Sequence, residues 1–397
     1  MGATITRNDA STAVRPLKVF FSAGEASGEH YGALLIEALR DATPGATFFG
    51  LGGKEMAAAG LERIVRAEDV AHMGITEVLR HAPTVYLAYR RLVKSIRQGQ
   101  PDVAVLIDFP DVNLRLAEHL KNAGIPVVYF VSPQLWAWKK GRIRWVRERV
   151  DKMLVIFPFE ESFYREHGVD AEFVGHPLAE VPLPAISREA FAAENSLDSA
   201  KPWIALLPGS RQREVRLNLP EMLLAAEKLG GGYEYLLPVA PTLHDDDILA
   251  AIPQESPVRR ALHLTRDAAA SLHHARSSVV ASGTATVLAA LMGNPFVAVY
   301  RVSPMTYAIA SRLIELPHVT MVNLIAGDRI VPELIQQDFT ADNVVREINP
   351  LLADGPGRDK QMTALAIVRQ RLNASKSEAD MASTIQRVAT HILQLVR

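Results

Sequence analysis

No cysteine occurs in this 397-residue chain, which removes disulfides, thiol nucleophiles and Cys-ligated zinc together. Charge of one sign is equally scarce. The 43 Lys and Arg stand against 44 Asp and Glu, so no global field recruits nucleic acid. Long apolar runs are missing too: none reaches the ~18 residues of a membrane-crossing helix, and residues 1–16 lack the apolar stretch of a secretory signal. The chain is therefore expected on the cytoplasmic side. "MGATIT" matches a loose myristoylation pattern, but no polybasic neighbour supports it. His273 and His274 are adjacent and cannot share one helical face, so no metal site is expected.

What remains is an ordinary soluble mixture, 48% hydrophobic and 22% charged, in a chain too long for one ordinary core; two domains follow. Apolar runs of strand length alternate with helix-period stretches. "LKVFFSA" (17–23), "ATFFGLG" (46–52), "DVAVLID" (102–108), "PVVYFVS" (126–132) and "KMLVIF" (152–157) read as strands buried on both faces. The alternation pauses at residues 175–190, where Pro177, Pro182 and Pro184 mark a linker. It resumes with "WIALLP" (203–208), "YEYLLPV" (233–239), "ALHLT" (261–265), "SSVVAS" (277–282) and "PFVAVY" (295–300). Two doubly wound α/β domains in tandem are predicted, spanning 1–180 and 181–360, with 361–397 forming helices that cross back. Met381, Ile385, Val388, Ile392 and Leu395 fall on one face of such a helix.

In parallel sheets ligands sit beyond the carboxyl ends of strands, where a turn meets a helix N-terminus. Four stretches lie at such ends. "AGEASGE" (23–29) carries Gly24, Glu25, Ser27 and Gly28; it matches neither a dinucleotide fingerprint nor a P-loop, and its glycines serve either a ligand or close helix packing. "LLPGSR" (206–211) sets Gly209, Ser210 and Arg211 at a helix start, an arrangement suited to phosphate. "ASGTAT" (281–286), with Ser282, Gly283, Thr284 and Ala285, repeats it, and two such loops in one domain suggest a diphosphate. "IDFPDVN" (107–113) offers Asp108 as a general base or as a turn-ordering residue, and Asp111 as an N-cap. Elsewhere, residues 72–97 place Met73, Ile75, Val78, Leu79 and Leu87 beside Arg90, Arg91 and Lys94, which suits an anionic bilayer surface or a packed helix. Trp136, Trp138 and Trp145 among the cations of 131–150 read as anchors of a solvated helix.

With "MGITEVL" (73–79), "VSPQLWAWKKGR" (131–142), "FPFE" (157–160), "GHPL" (175–178), "YRVSPMTY" (300–307) and "VNLIAG" (322–327), these stretches occur in the order found in the lipid-A-disaccharide synthase family, which the chain resembles over nearly its whole length. The resemblance implies a GT-B fold, two Rossmann-like domains with a C-terminal helix returning to the first. It implies a cofactor-free inverting transferase of Gram-negative lipid A biosynthesis that joins UDP-2,3-diacylglucosamine to 2,3-diacylglucosamine 1-phosphate (lipid X). By the same resemblance Asp108 is expected to be the base, Arg211 to hold the diphosphate, Asn323 to lie at the nucleotide site, and the enzyme to be peripheral on the inner membrane and a homodimer. One position departs. Many members carry a ribose-binding Glu where this chain has Leu288, and the lost contacts are worth ~1–3 kcal/mol. A UDP-N-acetylglucosamine 2-epimerase-like enzyme and a catalytically silent lipid-binding relative are the rival readings.

Overall fold

The computed structural model describes residues 15–71, 82–304, 307–308, 316–374 and 382–396. The first sheet contains β1 (Lys18–Ala23), β2 (Thr47–Gly52), β3 (Leu61–Arg66), β4 (Val103–Ile107), β5 (Val127–Phe130), β6 (Lys152–Val155) and β7 (Ala171–Phe173). Its order is β3-β2-β1-β4-β5-β6-β7, and every pair is parallel. The second sheet contains β8 (Trp203–Leu207), β9 (Glu234–Pro238), β10 (Leu262–Thr265), β11 (Ser277–Ala281), β12 (Phe296–Tyr300) and β13 (Glu333–Ile335), ordered β10-β9-β8-β11-β12-β13 and again parallel. All ten predicted strands are present. In both sheets the strand order reverses once, between β1 and β4 and between β8 and β11, and such switch points open a crevice at the carboxyl ends.

Three strands escaped prediction, and each lies at a sheet edge. β3 reads LERIVR, with charges interrupting the apolar run because one side faces solvent; β7 and β13 have only three residues each. The linker is also more structured than expected: Pro177–Glu180 forms a 3-10 turn and a helix begins at Arg188.

One apolar cluster runs through both halves, including Phe21, Phe130 and Phe157 on one side and Trp203, Leu236 and Phe296 on the other. The helix Thr384–Val396 packs on helix Ala26–Ala42 and β4, burying Ile385, Val388 and Ile392 and half-burying Leu395; Met381 lies outside the described residues. Each fully buried aliphatic side chain contributes roughly 1.5–3 kcal/mol, enough to hold the returning helix. Polar contacts fix its entry, since Glu180 accepts from Thr384 N at 2.6 Å, Thr384 Oγ1 at 2.7 Å and Arg387 Nη2 at 3.0 Å.

Candidate active site

At the first switch point, β4 ends at Ile107 and the chain enters the left-handed region twice in succession, at Asp108 (φ 47°) and Phe109 (φ 46°). Non-glycine residues held there cost on the order of 1–3 kcal/mol each, so the surroundings must enforce the turn. Asn113, fully buried, does so. Its Nδ2 donates to the carbonyls of Asp108 (2.8 Å), Ile107 (3.1 Å) and Ser22 (3.2 Å), while its Oδ1 accepts from Ser22 Oγ at 2.6 Å. The Tyr129 hydroxyl donates to the same Asp108 carbonyl at 2.5 Å. Pro110 then starts the helix Pro110–Asn122 with its φ already set.

The small residues after β1 answer to this turn. A Cβ on Gly24 would stand 2.5 Å from the Phe109 ring, so the position admits no side chain. Gly28 is buried against Ile107, while Glu25 and Ser27 are exposed. Glu29 accepts from Glu55 N at 2.9 Å and caps the helix Lys54–Ala58, which is structural work.

Burial pushes the Asp108 carboxyl up to about 7, the nearby Glu25 charge pushes the same way, and the Phe109 N–H opposes both. A half-ionised carboxyl at neutral pH is suited to accepting a proton. Asp111 is not the N-cap; Phe109 occupies that place, and Asp111, largely exposed, pairs with Arg142 at 2.5 Å and Lys139 at 3.6 Å. Partial burial disfavours its charge, but the two cations override this and hold it below the usual carboxylate range. The loop carrying those cations rests on Glu160. That buried carboxyl accepts from Ser132 Oγ (2.6 Å), Trp136 Nε1 (3.0 Å) and Phe157 N (3.2 Å), and burial raises it to about 7 against those bonds.

At the second switch point, Gly209 (φ 123°) turns the chain toward the helix Gln212–Leu229. The amides of Ser210 and Arg211, predicted to cradle phosphate, are taken by the Glu214 carboxylate at 2.8 and 3.3 Å. The Arg211 side chain is 74% exposed, with Glu214 at 3.5 Å. Ser282, Gly283, Thr284 and Ala285 follow β11, hydrogen-bonded neighbour of β8, so both anion loops lie side by side; Ser282 Oγ donates to the Val319 carbonyl at 3.3 Å. Tyr300, at the end of β12, feels both Glu214 and Arg211, although burial is the main cause of its raised hydroxyl pKa.

Two more residues singled out in the sequence are held within the fold. Asn323 offers no free polar group, being buried with Nδ2 donating to Val331 O (3.0 Å) and Glu333 Oε1 (2.9 Å) and Oδ1 accepting from Ile330 N (2.9 Å) and Val331 N (3.0 Å). It orders the 330–333 segment. Leu288 is half-buried and packs on the shared apolar cluster. Met73, Ile75, Val78 and Leu79 lie outside the described residues, as do Met305 and Thr306. The adjoining helix Ala82–Gly99 exposes Tyr86 and Leu87, each at 60%, beside exposed Arg90, Arg91, Lys94 and Arg97.

Sequence reasoning missed Asn113, Tyr129, Glu160 and Glu214. A polar side chain inside an otherwise apolar helix face was the only available signal for Asn113.

The family model described as lipid-A-disaccharide synthetase matches residues 19–386. A lipid-A-disaccharide synthase from Acidobacterium capsulatum is 60% identical over 95% of this chain and 96% of its own length; one from Koribacter versatilis is 50% identical over 95% and 99%. Among solved structures, the glycotransferase of kitacinnamycin superposes with a TM-score of 0.62 at 13% identity, covering 97% of this chain and 100% of that one. The UDP-GlcNAc 2-epimerase of Neisseria meningitidis does so at 0.56 and 10%, covering 96% and 100%. These structures establish the GT-B fold and do not separate transferase from epimerase; the sequence relatives do.

Proposed function

The chain belongs to the lipid-A-disaccharide synthase family, and we propose on that footing how its residues carry out the transfer. It is an inverting glycosyltransferase that joins UDP-2,3-diacylglucosamine to 2,3-diacylglucosamine 1-phosphate, forming the β-1,6 disaccharide 1-phosphate and UDP. Residues 1–180 form the acceptor side and 181–360 the nucleotide side, with the two switch points facing one cleft.

In this reading Asp108 takes the proton from the acceptor's 6-hydroxyl as that oxygen attacks the anomeric carbon of the donor. The bond to UDP breaks on the opposite face, which inverts the centre. The leaving diphosphate is held by Arg211 and by the amides after β8 and β11, so no metal is required to disperse its charge. Glu214 must then give up those amides to the diphosphate. Asn323 and Leu288 act indirectly, by fixing backbone and packing. The single observation that carries the assignment is the Asp108 turn: a half-buried carboxyl on strained backbone, with its pKa near 7, at a sheet switch point.

No helix among the described residues is long and apolar enough to cross a membrane. Both substrates carry acyl chains, so the enzyme reaches them as a peripheral protein. Tyr86 and Leu87, edged by Arg90, Arg91, Lys94 and Arg97, continue the predicted 72–97 surface and suit an anionic inner-membrane leaflet. A homodimer remains part of this proposal through the family alone. UDP release in a coupled assay with both acylated sugars tests the function. An epimerase or a silent relative releases no acceptor-dependent UDP.

A further inference from the structure

The loop between β5 and β6 holds a group of cations that the proposed transfer does not use. Lys139 is itself in the left-handed region (φ 53°), and Val131, where the loop begins, is too (φ 61°). With Asp108 and Phe109 this makes four strained non-glycine residues around the carboxyl edge of β4 and β5, and such strain collects where geometry serves binding. Lys139 Nζ lies 4.1 Å from the Trp138 ring centre and 3.6 Å from Asp111 Oδ1; Arg142 Nη2 reaches the same oxygen at 2.5 Å. Two cations thus share one oxygen of one exposed carboxylate, and Lys140 stands exposed between them in sequence. Within 139–142 and Asp111, three positive charges stand against one, a local excess of about two. The loop is not free to drift, because Leu135 and Ala137 are buried and Ser132 and Trp136 are bonded to buried Glu160.

From this geometry we infer that Lys139 and Arg142 form a phosphomonoester subsite, which takes the anomeric phosphate of the acceptor. The inference rests on the proposed function for the identity of the acceptor. A phosphomonoester carries about −1.5 to −2 at pH 7 and matches the local excess in sign and size. Arg142 supplies a planar fork and Lys139 a point charge. Asp111, three residues beyond Asp108, keeps the two cations in place until phosphate arrives. The subsite therefore orients the sugar with its phosphate at Lys139 and Arg142, in place of the Asp111 carboxylate, and its far hydroxyl toward Asp108.

The test compares 2,3-diacylglucosamine 1-phosphate with the same sugar lacking phosphate, as the ratio of kcat/KM for the two acceptors. Lys139→Ala and Arg142→Ala are expected to lower that ratio tenfold or more, Arg142→Lys to lower it less, and Asp111→Asn to keep or raise it. If Asp111→Asn, Lys139→Ala and Arg142→Ala all lose activity equally with both acceptors, the three residues only fasten the loop and the subsite is overturned. Equilibrium binding of the two acceptors, followed by Trp138 fluorescence, reads the subsite without turnover. There the phosphorylated sugar must bind more tightly to the unaltered protein, and Arg142→Ala must abolish the difference; equal binding overturns the subsite. Absence of UDP release by the unaltered protein with either acceptor counts against the transferase function, not against this binding result.

Discussion

Asn113 Nδ2 donates a 2.8 Å hydrogen bond to the carbonyl oxygen of Asp108, and that bond holds the strained backbone that carries the Asp108 carboxyl at the end of β4. Because the same amide also binds Ser22 and Ile107, it ties β1, β4 and the turn into one unit.

Asn113→Ala is expected to lower kcat at least tenfold with UDP affinity unchanged, since the proposed nucleotide site lies with the other sheet. It leaves buried carbonyls unpaired, at about 1–3 kcal/mol of stability. Kinetics and UDP titration on protein still folded at the assay temperature check this; intact kcat would show that the turn holds without the amide.

Arg211→Ala should weaken UDP binding and slow turnover together, because a charge-assisted contact is lost in both ground and transition states. Glu214→Gln should act in the opposite direction on binding. It removes the carboxylate that occupies the Ser210 and Arg211 amides, and calorimetric UDP titration should show affinity rising several-fold. A weaker UDP complex in Glu214→Gln would mean that the carboxylate shapes the loop rather than competing for it.

The architecture was legible wherever strands are buried on both faces, because continuous apolar runs such as 103–107 and 203–207 leave little choice of structure. Edge strands were not, since the charges of β3 resemble those of a solvated helix. Asp108 and Arg211 were singled out by their strand-end positions, and the family resemblance supplied the roles proposed for them. What holds them was hidden: Asn113 and Glu160 act through contacts between segments distant in sequence, and Glu214, at the N3 position where a capping-box glutamate folds back on its own loop, follows Arg211 rather than the Ser or Thr that marks such a box. Asn323 was singled out by motif, and its side-chain bonds go to the Ile330 and Val331 backbone and the Glu333 carboxylate.

Leu288→Glu should tighten UDP by up to about tenfold, or ~1.4 kcal/mol, if the ribose lacks a partner. It should also lower the melting temperature, because the half-buried leucine packs on the shared cluster. Unchanged UDP affinity in a folded variant would remove the ribose from this helix.

Replacing Tyr86 and Leu87 by Ser should reduce co-sedimentation with anionic vesicles at both low and high salt, with secondary structure retained. Charge alone contributes about 1 kcal/mol for each basic group near the surface and is screened by salt. Binding that vanishes only at high salt, and is unaltered by the double change, would leave the arginines as the sole contact and point to residues 135–145.

The most direct test of the whole account is the pH dependence of kcat/KM for disaccharide formation, with Asp108→Asn beside the unaltered enzyme. Asp108 works as the carboxylate, so activity should rise with pH through about 7 and level off above it, while Asp108→Asn should be inactive across the range. The same raised pKa has a stability signature of opposite sign. The folded state binds more protons than the unfolded one between about pH 4 and 7, so Asp108 costs the fold stability as pH rises through that window. Asp108→Asn should therefore melt higher than the unaltered enzyme at pH 8, with the gain shrinking toward pH 4. An inactive, more stable variant at pH 8 is the predicted result; substantial disaccharide formation by Asp108→Asn at neutral pH would contradict the account.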